Sequence, residues 1–142
     1  MPTITKSAIS SSELGILWMT YQIKSLMSVF IDYFARDSRD RKAKKILESH
    51  VRENQKLLNK IVSIYNKDQV VVPEAFNNKD VFDNAPTLFD DIFHIMFLRI
   101  MMKINLGFNA LHLGMSYRED ILDFFEDTVR NSQETYRECT DY

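Results

Sequence analysis

Apolar residues recur at helical spacing through four long stretches of this chain and lose that spacing in one. Ser10 and Glu13 stand at capping-box spacing ahead of the first run, which predicts a helix over 11–37. Its apolar positions form two stripes. One holds Leu14, Leu17, Trp18 and Tyr21; the other holds Ile16, Met19, Ile23, Leu26, Phe30 and Tyr33 at heptad spacing. A helix packed in one body needs a single such face. The second stripe therefore reads as a surface for a partner subunit, with Ile16, Met19, Ile23, Leu26 and Phe30 as homodimer contacts.

A second helix is predicted over 39–67, capped by Asp37 or Ser38, with Ala43, Leu47, His50, Asn54, Leu57, Ile61 and Ile64 inward. The link between the two is only a few residues long, so they are antiparallel neighbours. Residues 68–86 contain VVVP, Asn77-Asn78 and Asn84-Ala85-Pro86 and carry no helical period, so they read as an extended crossover. Such a segment reaches at most about 63 Å. A 28-residue helix is only about 42 Å long. The crossover can thus travel the whole length of the body and start the third helix parallel to the second.

The third helix is predicted over 88–115, entered through a capping box at Thr87 and Asp90. Eighteen of those 28 residues are apolar. Spacing at 100° places Arg99, Lys103 and Ala110 on the wet side and Phe97, Met101, Ile104, Phe108, Leu111 and Met115 inward. Asp90, His94, Asn105 and His112 fall near the centre of the inward face. The fourth helix, over 117–139 with Ser116 as cap and Glu119 three residues on, points Ile121, Leu122, Phe125, Val129, Tyr136 and Cys139 inward. Two antiparallel hairpins joined by a long crossover predict one all-α domain over 1–142, a ferritin-like four-helix bundle.

Composition agrees with this picture. Three glycines and three prolines in 142 residues favour long helices over strands and turns. A net charge of -2 gives no reason to expect nucleic acid. The single cysteine, Cys139, suits a reducing compartment. The N-terminal residues lack the apolar run of a signal peptide, and Arg99 and Lys103 interrupt the greasiest segment, so a cytoplasmic protein without a membrane span is expected.

The segments SSELGILWMTYQIKSLMSVFIDYF, NKDQVVVPEAFNNKDV and NAPTLFDDIFHIMFLRIMMKINLGF resemble a ferritin-like family from spore-forming Gram-positive bacteria, some of whose members carry the label "putative spore coat protein". The SELGxLW start, the PxxF of the crossover and the APxLFxD entry carry the resemblance, which covers nearly the whole chain. It implies a fold and a spore setting but no activity. Many members of that family hold two bundles in tandem, whereas this chain holds one; a homodimer would replace the tandem pair.

Two functional classes follow. The first is a non-enzymatic structural or protein-interaction role needing no cofactor. Its second candidate surface is the basic run Arg36, Arg39, Arg41, Lys42, Lys44 and Lys45, suited to an anionic partner. The second class is a protein binding a transition metal through a degenerate carboxylate/His site. His50 with Glu53, and Asp90 or Asp91 with His94, have usable helical spacing, and His112 lies further along the same inward face. Against it, a di-iron site of this architecture needs Glu-x-x-His on two helices, and no glutamate here has a histidine three residues later.

Overall fold

The computed structural model describes residues 7–142, which form four long helices, and none of the described residues lies in a strand. Helix α1 spans Ser11–Asp37, α2 Arg41–Lys67, α3 Asp91–Gly114 and α4 Glu119–Asp141. A single 3-10 turn, Asn78–Asp80, interrupts the crossover. α1 starts as its sequence requires: Ser10 Oγ accepts from the Glu13 N–H, and a Glu13 carboxylate oxygen accepts from the Ser10 N–H.

The other starts differ from expectation, each for a visible reason. α2 begins two residues late, at Arg41 with Asp40 as its cap, because the Asp91 carboxylate takes the Arg39 and Asp40 N–H groups at 3.0 Å each. α3 begins three residues late. Thr87 does not cap it; its hydroxyl donates to Asp37 instead, and Asp90 accepts from the Phe93 N–H. Ser116 does not cap α4, since its hydroxyl donates to the His112 carbonyl.

α1 packs against α2 and α3 against α4, and α2 and α4 meet across the interior. The crossover runs along α1. Gln22 donates to the Glu74 carbonyl, Ser25 accepts from the Phe76 N–H, Tyr33 donates to the Ala85 carbonyl and Arg36 pairs with Asp83. It therefore returns the chain to the C-terminal end of α1, where Phe34 stacks on His94 of α3 at 4.5 Å. α3 is thereby antiparallel to α1.

Two apolar clusters fill the interior. Leu17, Leu57, Ile61, Ile121 and Phe125 anchor one; Ile31, Leu47, Ile95 and Leu98 anchor the other. Each fully buried Leu, Ile or Phe contributes roughly 1.5–3 kcal/mol. Ile16 belongs to the first cluster, which removes it from the expected partner surface. Among the described residues the helix long and apolar enough to cross a membrane is α1 rather than α3, and 44% of its most apolar window is buried against the rest of the chain.

Candidate functional site

α3 is rotated relative to its hydropathy. Its buried residues are His94, Ile95, Leu98, Met102, Asn105, Asn109 and His112. Ile104, Phe108, Leu111 and Met115, expected inward, are exposed, as are Met96 and Ile100. The inward direction is rotated by roughly a quarter turn from the one hydropathy favours. Polar anchors set the rotation. Arg99 is not on a wet side but half-buried against α4, donating to Tyr136 Oη at 2.8 Å and Thr140 Oγ1 at 2.9 Å, with its guanidinium over the Tyr136 ring. Asn109 donates to Ser132 of α4.

The exposed face of α3 continues onto α1. Met19, Leu26 and Phe30 of the expected partner surface are exposed, Ile23 is half-buried, and Phe30 meets Phe97 across the two helices at 6.0 Å. Trp18 is exposed on the same helix. The result is a two-helix layer of large apolar side chains that no described residue covers. Gly107 lies in it, exposed, and a Cβ there would meet nothing within 4 Å. A mid-helix glycine costs about 1 kcal/mol relative to alanine. Close packing within the chain does not account for it.

Between the apolar clusters lies a polar layer. Lys24 of α1 is 4% exposed and makes no side-chain hydrogen bond or ion pair with any described residue. Burial lowers its pKa to about 8. Asn54 spans from α2 to the Lys24 carbonyl and Ser28 Oγ. A cleft of about 10 Å³, room for one water molecule, opens beside Lys24, Asn105, Asn109 and His112. The spacing of Leu17, Thr20, Lys24, Met27 and Ile31 on one inner line could have revealed Lys24.

The metal candidates do not assemble. His50 is buried, and neither ring nitrogen has a partner. Burial and the Lys24 charge beside it depress its pKa to about 3. Glu53 pairs with Lys56 at 2.8 Å. Asp90 caps α3 and Asp91 holds the approach to α2, as described above. His94, its pKa lowered by burial against the opposing pull of nearby carboxylates, bonds through Nδ1 to Ser38 Oγ at 3.0 Å. Asp37 Oδ2 stands 3.9 Å from its Nε2 and is itself buried without a partner. His112 sits 18 residues further along α3, roughly 27 Å away. Its Nδ1 is unpartnered and its ring lies edge-on to Phe125. Among the described residues no group of three or more His, Cys, Asp or Glu side chains is arranged to hold a metal.

His50 carries a pH prediction. Its depressed pKa means its contribution to stability is complete above pH 6.5 and is lost as pH falls toward 3. His50→Leu is expected to remove that share of the acid sensitivity and, with two orphaned nitrogens gone, to raise stability at pH 7 by about 1–2 kcal/mol. Urea titrations at pH 7 and pH 4.5 check both parts.

The basic run stays on the surface. Arg39, Arg41, Lys44 and Lys45 are exposed, Lys42 lies over the Tyr142 ring, and Arg36 is shared between Asp32 and Asp83. Cys139 is buried and its thiol is pushed up to about 12, mainly by that burial.

At the opposite end sits a cluster that no local pattern announces. The second Glu13 oxygen accepts from the Tyr117 and Arg118 N–H groups, so α4 is capped by α1. The Arg118 guanidinium, 3% exposed as a side chain, grips Asp68 at 2.5 and 2.6 Å and Asp120 at 2.7 and 2.9 Å, and reaches the Ser7 carbonyl.

Comparison with known proteins places this architecture. No curated protein matches the chain. A crystal structure of a putative spore coat protein from Bacillus halodurans C-125 superposes with a TM-score of 0.79 at 14% identity, covering 93% of this chain and 86% of that one. At that identity the likeness establishes the fold alone. The model of the family described as "Protein of unknown function (DUF3231)" matches residues 2–142, and the chain belongs to that family.

Proposed function

We propose that this is a ferritin-like bundle protein, cytoplasmic and spore-associated, with a non-enzymatic structural or protein-interaction role exerted through the α1/α3 face. The observation that carries the reading is the rotation of α3, which gives four of its seven buried positions to His and Asn and presents Met96, Ile100 and Leu111 at 55, 50 and 60% exposure. Monomers seldom expose so continuous an apolar patch without using it. The ferritin-like assignment draws on the two antiparallel hairpins and the crossover laid along α1. The spore setting draws on the Bacillus halodurans relative. The histidines lie apart, His50 on α2 and His94 and His112 at opposite ends of α3, and the carboxylates are engaged as caps or ion pairs, which favours a role without a resident metal.

Fractionation of vegetative cells and purified spores of the source bacterium tests the reading. The protein is expected to be enriched in spores, and the folded variant Ile100→Glu is expected to be lost from them. Absence from spores, or full retention of Ile100→Glu, overturns it. Metal analysis of the same untagged protein is expected to give well under one equivalent per chain.

A further inference from the structure

The α1/α3 face has the area, the size pattern and the open glycine that a second copy of this chain would satisfy. About ten apolar side chains, each roughly half exposed, offer on the order of 800 Å² per copy, the amount a stable dimer buries on each partner. No acidic residue interrupts the middle of the face; Lys103 stands at its edge. An oppositely charged partner therefore gains little there, whereas an identical apolar layer gains the full area.

The size pattern along α3 says how the copies meet. Its N-terminal half presents the bulky Phe93, Met96 and Ile100, and its C-terminal half sets the small Gly107 and Gly114 among Phe108, Leu111 and Met115. Turned end for end about a point between Lys103 and Ile104, the helix sets Ile100 opposite Gly107 and Phe93 opposite Gly114, with Met96 against Leu111. That relation is a two-fold axis lying in the interface and perpendicular to the helices. It also sets α1 antiparallel over its own copy. The space in front of Gly107, empty within one chain, is then where the partner's helix comes close.

We propose that two copies of this chain form a two-fold dimer through the α1/α3 face, with α3 crossing its copy antiparallel near Ile104. The proposal rests on the interaction reading given above and names its partner. Sedimentation of the purified full-length chain at several concentrations is expected to show a dimer. Ile100→Glu, at a solvent-facing position, is expected to sediment as a folded monomer, with circular dichroism confirming its helix content. Ile104→Cys is expected to give a disulfide-linked dimer on mild oxidation, while the parent chain, whose Cys139 is buried, gives none. A wild-type monomer at all concentrations, or a dimer that Ile104→Cys does not cross-link, overturns the proposal. Either result leaves the interaction reading standing if Ile100→Glu is still lost from spores. Partition of the wild-type monomer into lipid vesicles, or capture of the face by the chain's own residues 1–6, likewise overturns it.

Discussion

Arg118→Ala is expected to lower the free energy of unfolding by about 3–5 kcal/mol, the cost of leaving a buried charge cluster without one partner. In the native chain all five guanidinium N–H groups are used: two on Asp68, two on Asp120 and one on the Ser7 carbonyl. Truncation leaves Asp68 and Asp120 facing each other in a partly buried corner. Asp68, held below the usual carboxylate range chiefly by its bonds to Arg118, loses that support. A chain of this length should melt roughly 10 °C lower. Arg118→Lys recovers only part of the loss, because an ammonium cannot form the planar fork that meets two carboxylates at once. Thermal and urea unfolding of the two variants provide the check, and an Arg118→Ala loss below about 1 kcal/mol would show that the carboxylates find other partners.

Lys24→Met is expected to move stability the other way. Burial lowers the Lys24 pKa from 10.5 to about 8. A lysine depressed on folding gives its full support only above its unfolded pKa, and that support is lost as pH falls toward the folded one. At pH 7 the native chain therefore carries the whole penalty, roughly 3 kcal/mol. Methionine fills a similar volume without the charge and also removes the cation that helps depress His50. The variant should be more stable at pH 7 by about that amount. It should also lack the rise in stability that the native chain shows between pH 8 and 10. Denaturant titrations at pH 7, 8.5 and 10 test the sign as well as the size; a loss of stability at pH 7 would mean that the ammonium has an ordered partner, such as a water or small anion in the adjoining cleft.

The parts of the fold legible in the sequence were those written at short range. Ser10 and Glu13 are three residues apart, and their motif sets the start of α1. The length of the segment after Asp68 foretold a crossover able to run the length of the body, and its contacts with Gln22, Ser25 and Tyr33 show that course. The facing of α3 was misread, because in a helix apolar nearly all round hydropathy gives only a weak direction. The polar residues decided it: Arg99 needs Tyr136 and Thr140, and Asn109 needs Ser132, all on α4. Asp91 offered a metal ligand by its spacing from His94, yet its carboxylate is occupied 51 and 52 residues upstream, at Asp40 and Arg39. Spacing along one helix cannot report a demand arising on another.

The Glu13 cap on α4 spans 105 residues of chain. During synthesis α1 is made first, and its carboxylate has nothing to hold until Tyr117 and Arg118 exist; Asp68 likewise waits for its guanidinium. Loop closure over such a distance becomes favourable only once the intervening helices are already packed. The corner is thus among the last contacts to form: a chain that has not reached Arg118 can close its first hairpin but not the end that Glu13, Asp68 and Arg118 hold together.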